Sequence, residues 1–100
     1  MGESADVKKI EHAVAEAAGH FAAPPTKVVR SEFTVGEDQT GDPAVFVTVF
    51  LDDATRDEDW TSKNLDPIVD RIRQAVASTG VERFVYVRFL RPKDLSSEAA

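Results

Sequence analysis

The run Ala44-Val45-Phe46-Val47-Thr48-Val49-Phe50-Leu51 is apolar on both faces of the strand it encodes. Successive side chains of a strand point to opposite sides, so Val45, Val47, Val49 and Leu51 form one row and Ala44, Phe46, Thr48 and Phe50 the other. Both rows favour burial, yet the helices that a chain of 100 residues can supply cover only one face of a small sheet. The second face is therefore expected to be a contact surface.

At this length and 42% hydrophobic content, residues 1–100 form a single domain, expected to be ordered over about 4–91 with a flexible tail over 92–100. The absence of cysteine removes disulfides, thiolate chemistry and Cys-ligated zinc together, and fits a reducing compartment. Met1-Gly2-Glu3-Ser4-Ala5-Asp6 has neither the basic nor the apolar region of a secretory leader, and Asp6 stands where a myristoylation signal places Ser or Thr. No run approaches the roughly 18 apolar residues of a membrane span. A cytoplasmic protein is expected. Its net charge of −6 repels phosphate backbones and anionic lipid, which disfavours nucleic acid and membrane as partners.

Five elements are expected. Val7, Ile10, Val14, Ala17, Ala18 and Phe21 recur at helical spacing and predict a helix from Ser4 to Phe21, with Ser4 or Asp6 as its cap and Pro24-Pro25 as its stop. Alternation over Lys27 to Val35 predicts a half-buried strand with Val29, Phe33 and Val35 inward and Arg30, Glu32 and Thr34 outward. Gly36 to Pro43 has turn composition with a loose tip, so Ala44 to Leu51 returns as the second strand of a hairpin. After the acidic stretch Asp52 to Trp60, a helix is expected from Asn64 or Asp66 to Thr79. Pro67 would sit in its first turn, Leu65, Ile68, Ile72 and Val76 on its apolar face, and Gly80 in its left-handed cap. Arg83 to Leu90 is the third strand, and Pro92 onward reads as a frayed tail. The fold class is α+β, two-layer, helix-strand-strand-helix-strand, with a three-stranded mixed sheet and two helices on one face. The strand apolar on both sides belongs in the middle, with a parallel third strand reached by a right-handed crossover.

The aliphatic row of the second strand pairs consistently with Val29, Phe33 and Val35 and with Val85, Val87 and Phe89, so it is assigned to the core. The uncovered face then carries Phe46, Phe50, Phe84 and Tyr86, with Arg30, Glu32, Thr48 and Arg88 around them. Four aromatic side chains of about 150 to 250 Å² each equal or exceed the largest apolar patch of an ordinary monomer. Aromatics and arginine dominate binding energy in desolvated interfaces, and a twofold homodimer is the simplest closed use of such a face. The alternative is that the acidic loop around Trp60, or the tail, folds back over these rings.

Other chemistries have weaker footing. Asp52, Asp53, Asp57, Glu58 and Asp59 lack the spacing of a calcium loop, and a solvated charge run is the common case. His12, Glu16 and His20 lie four apart, but the two histidines are about 12 Å apart along the helix, and their row is expected to face solvent opposite the apolar stripe. No serine sits in a nucleophile elbow and no glycine-rich phosphate loop occurs. Neither a cofactor nor a metal nor catalysis is implied. Acidic residues crowd Glu37 to Asp59, whereas Arg71, Arg73, Arg83, Arg88, Arg91 and Lys93 follow, a polarity suited to charge-complementary contacts.

The element order over about Asp6 to Leu90 resembles the KH-like domain of ribosome-binding factor A, the C-terminal domain of NifU and that of cation-efflux transporters. The resemblance is one of order alone. This chain has no Gly-x-x-Gly loop, no Cys-x-x-Cys pair and no membrane segment, so no functional residue is carried across. The expected function is a non-catalytic protein-interaction domain, self-associating or joined to another protein through its aromatic sheet face. The alternatives are a nucleic-acid module using Arg30, Phe84, Tyr86 and Arg88, a small-ligand binder under Trp60, and an acidic neutralising partner of a basic protein.

Overall fold

The computed structural model describes residues 2–99, with side chains placed for 6–95. Helix α1 spans Gly2–Gly19, strand β1 Val28–Glu37, strand β2 Pro43–Leu51, helix α2 Ser62–Ser78, strand β3 Phe84–Leu90 and helix α3 Pro92–Ala99. A single turn of 3-10 helix, Asp57–Asp59, interrupts the acidic connection.

Strand β2 lies in the middle of the sheet, antiparallel to β1 and parallel to β3. This follows from its composition, since a central strand is the one that must tolerate packing on both faces. Val45, Val47, Val49 and Leu51 are fully buried against Ile10 and Val14 of α1, Ile68, Ile72 and Val76 of α2, and Val85 of β3. Phe33, Val35, Val87 and Phe89 extend the same layer as half-buried side chains. Thus both long helices cover one face. The thinnest dimension of the molecule, 21 Å, matches one helix layer of about 10 Å on one sheet layer of about 10 Å, leaving the other face bare.

Four local details depart from expectation. First, a β-bulge between Val28 and Arg30 sets Val28, rather than Val29, opposite Leu51, while Arg30 opposite Phe50 keeps the register of the rest of the strand. Val28 therefore packs on the core, while Val29 is 45% exposed rather than inward. Second, α2 starts at Ser62 after the extended Thr61, whose carbonyl accepts from the amides of Asn64 and Leu65, so Pro67 falls in the second turn. Gly80 takes the left-handed conformation (φ +84°) that ends this helix, as the glycine predicts. Third, α1 extends back to Gly2, which puts Asp6 inside the helix; a cap by the Ser4 side chain lies outside the described residues. Fourth, the segment after Pro92 is helical, with Arg91 and Asp94 bonded at its start and the Lys93 amide donating to Asp53.

Among the described residues, no helix is long and apolar enough to cross a membrane.

Candidate functional site

The bare face of the sheet is built by the even-numbered residues of β2 and β3. The register sets Phe46 beside Tyr86 and Thr34, and Thr48 beside Arg88 and Glu32. Phe46 stacks on Tyr86 with ring centroids 5.5 Å apart and planes at 14°, and Phe84 meets Tyr86 edge-on at 4.7 Å. Despite these contacts the rings remain open to solvent: Phe46 is 39%, Tyr86 40% and Phe84 52% exposed. A shallow depression of about 290 Å³ runs between Thr34, Thr48, Arg88 and the Phe46–Tyr86 stack.

The rim is polar and internally bonded. Arg30 Nη1 pairs with Glu32 at 3.1 Å, and Arg88 Nε donates to Thr48 Oγ1 at 2.9 Å. Arg73, reaching over from α2, lies 4.8 Å above the Phe84 ring and donates to the Val85 carbonyl on β3 at 3.0 Å. Arg83 donates from Nη1 to the Gly36 carbonyl at 2.9 Å, tying β3 across to the end of β1.

The hairpin tip is fastened to this face by Asp38. Its Oδ1 accepts from the Thr40 hydroxyl (2.7 Å), the Thr40 amide (2.9 Å) and the Asp42 amide (3.0 Å), and its Oδ2 accepts from the Tyr86 hydroxyl (3.0 Å). Gly41 adopts φ +85° within this turn, a conformation that glycine alone takes without cost. The tip expected to be loose is thus organised around one carboxylate. The Thr40 hydroxyl and then the Asp42 amide hold the Asp38 carboxyl below its ordinary value of 3.8. Conversely, the hydrogen bond to Asp38 pushes the Tyr86 phenol above its ordinary 10.0.

The sign of each shift fixes its pH window. The contribution of Asp38 is complete above pH 3.8 and fades as pH falls through its lowered folded value. That of Tyr86 is complete below pH 10.0 and fades as pH rises through its raised folded value. Tyr86 is the sole tyrosine, so phenolate absorbance reports it alone. Its titration is expected above that of free tyrosine, returning toward 10 in Asp38→Ala. An identical titration in both proteins would mean that the Asp38 contact does not hold in solution.

Of the eight residues expected on this face, Phe46, Phe84 and Tyr86 form the exposed patch, with Arg30, Glu32, Thr48 and Arg88 at its rim. Phe50 does not join them. It is 2% exposed, with the Arg30 guanidinium 4.0 Å above its ring. The reason is a side chain on the same face: Arg30 stands opposite Phe50 in the continuous register of β1 and β2, and its guanidinium folds down over the ring. Asp38 and Arg73 were not legible as site residues, since each reaches the patch from an element outside the strands that carry the rings, the hairpin tip and α2.

The acidic loop is occupied elsewhere. Trp60 meets Phe89 edge-on at 6.5 Å, on the helix-covered side, and Arg91 lies 5.2 Å over the indole. Arg91 Nη1 also donates to Asp57 at 2.8 Å and to the Thr55 carbonyl at 3.0 Å. The Asp57 contact, opposed by partial desolvation and aided by Asp94, raises the affinity of Arg91 for its proton. The loop therefore seals the end of the core and leaves the aromatic patch uncovered. Trp60 is the sole tryptophan, and Arg91→Ala is expected to shift its emission to the red as the loop loosens. Unchanged emission would show that Arg91 does not hold the loop.

His12 and Glu16 lie 3.5 Å apart, whereas Arg71 Nη2 donates to His20 Nε2 at 2.6 Å. The row faces solvent as expected, with the His12 and Glu16 side chains 83% and 66% exposed. It also borders a groove between α1 and α2, since Ala13 and Ala17, one position away on the helix, are buried. Among the described residues, no three His, Asp or Glu side chains gather as a metal site.

No family profile, curated protein or solved structure matches this chain.

Proposed function

We propose that this chain is a non-catalytic association domain that pairs with a second copy of itself through the open sheet face. The observation that carries this reading is the contiguous, exposed stack of Phe84, Tyr86 and Phe46 on a sheet face that neither the helices nor the acidic loop covers. Aromatic rings held in place by neighbours lose little entropy on docking, and their apolar area provides the driving force. Glu32 on β1 and Arg88 on β3 flank the centre from opposite sides, an arrangement that a twofold axis makes self-complementary.

A protein surface suits this rim better than a phosphate backbone. Arg30 is engaged by Glu32 and Phe50, Arg88 by Thr48, and the net charge of −6 opposes nucleic acid. A cytoplasmic setting belongs to the same proposal and is supported by the cysteine-free composition.

Size sets the expected strength. Seven residues of β3 at about 3.3 Å each, across three strands about 4.8 Å apart, give a footprint of roughly 23 by 14 Å. That lies below the roughly 800 Å² per partner of a standard interface, so the dimer is expected to dissociate in the micromolar range. Light scattering over a concentration series tests this directly. The mass should climb from 11.0 kDa toward about twice that value across micromolar concentrations. A mass of 11.0 kDa at every concentration up to about 1 mM, a weak-binding limit, would overturn the proposal.

A further inference from the structure

A wider concavity than the depression on the sheet face lies on the other layer of the molecule. An open groove of about 760 Å³ runs along the seam of α1 and α2. Its floor is made of small side chains, Ala13 and Ala17 from α1 and Ala75 from α2, which let a third backbone approach closely. Its walls include the aliphatic stems of Lys8, Lys9, Arg71 and Gln74, surfaces that long polar side chains offer to apolar partners while keeping their charged ends in water.

Two properties identify what fits there. The first is shape. Lining positions run from Lys8 on α1 to His20 just beyond its end, twelve residues apart, or about 18 Å at 1.5 Å per residue, which is a little over three helical turns. A small molecule is recognised by an enclosed site that buries most of its surface, whereas an open trough of this length matches the side of a helix. The second is charge. Lys8, Lys9 and Arg71 line the groove against a single carboxylate, Glu16, in a chain whose net charge is −6. The groove is a local cationic strip on an acidic protein. A second copy docked groove to groove would set Lys8, Lys9 and Arg71 against the same cations, which favours an acidic helix of another protein as the occupant.

We propose that the α1–α2 groove receives an acidic amphipathic helix from a protein partner, its apolar stripe over Ala13, Ala17 and Ala75 and its carboxylates toward Lys8, Lys9 and Arg71. Arg71 holds one end of the strip through its hydrogen bond to His20 Nε2, which joins the end of α1 to the middle of α2. The groove lies on the helix layer and the aromatic patch on the opposite sheet face. Occupation of one therefore leaves the other free, and the two proposals stand or fall separately.

The test uses the full chain, labelled with ¹⁵N, and a synthetic 14-residue helical peptide carrying Leu at positions 3, 6, 7, 10 and 14 with Glu beside them. Saturable amide shifts are expected at Ala13, Ala17, Gln74 and Ala75, with little change at Phe46, Phe84 and Tyr86. Lys9→Glu and Arg71→Glu should each weaken the peptide about tenfold while circular dichroism stays unchanged. Because Lys9 is exposed, its variant remains informative even if Arg71→Glu perturbs the helices. Replacing every Glu of the peptide by Lys should abolish the shifts. The proposal is overturned by no saturable shift at 1 mM peptide, by shifts confined to the sheet face, or by equal binding of the Glu and Lys peptides. Shifts produced by anionic phosphatidylglycerol vesicles but not by the peptide would also overturn it, in favour of a lipid surface.

Discussion

Phe50→Ala is expected to lower the free energy of unfolding by about 3 kcal/mol, the range for deleting a buried aromatic side chain. The ring belongs to the same strand face as the exposed Phe46, yet it is 2% exposed and lies beneath the Arg30 guanidinium. Its removal leaves a void that the strands cannot collapse into, because Phe50 is held in register with Arg30 on one side and Leu90 on the other. The loss includes the contact of the cation with the ring. In a domain of this size such a change lowers the melting temperature by about 15 °C. Phe84→Ala is the matched control, since a ring that is already 52% exposed should cost less than about 1 kcal/mol. Urea or thermal unfolding of the two variants side by side decides the point. Equal losses would mean that Phe50 is no more buried than Phe84.

The second large effect is on association. Phe46 stands on the central strand with the Tyr86 ring stacked on it, so Phe46→Glu removes the middle of the patch and places a carboxylate there in both copies. Loss of an aromatic anchor costs a hot-spot contact, and the new charge must be desolvated without a partner. The dissociation constant is expected to rise at least about 100-fold, which keeps the mass at 11.0 kDa throughout the concentration series. Circular dichroism and melting temperature should change little, because the fully buried core lies on the opposite face of β2. Phe46→Ser, which adds no charge, separates loss of the ring from electrostatic repulsion. Were either variant to unfold the chain, Phe46 would belong to the core and the interface would have to lie elsewhere.

The sequence made the architecture legible because one strand carried so much information. Unbroken β-branched residues at 45, 47 and 49, with Leu51, set the core face and hence the register of all three strands, and an apolar second row placed β2 in the centre. The bulge was not legible. No glycine marks it, and Val28-Val29 offers two equivalent residues for one inward position, so alternation counted back from Phe33 assigned Val29 to the wrong side. Phe50 was misplaced for a different reason: alternation puts Arg30 and Phe50 on one face but does not show that the guanidinium folds down over the ring. The helix α3 escaped notice because Pro92-Lys93-Asp94-Leu95-Ser96-Ser97-Glu98 is too short and polar to show a face. The bond from Tyr86 to Asp38 and the reach of Arg73 over Phe84 depend on how separate elements come together, and composition carries no trace of them. The groove was hidden for a related reason: periodicity shows which face of α1 is apolar but not where α2 comes to rest beside it.

The mixed pairing of β2 also has a temporal side. Its antiparallel neighbour β1 precedes it by a short hairpin, whereas its parallel neighbour β3 ends 39 residues after Leu51, beyond the whole of α2. At a synthesis rate of about 5 to 20 residues per second, the completed hairpin waits roughly 2 to 8 s on the ribosome before its inner edge is paired. During that interval the most apolar strand of the protein presents unsatisfied amides and carbonyls along one side. The nascent chain is therefore most prone to sticking at an intermediate length, when the strand that later anchors the sheet is still its raw border.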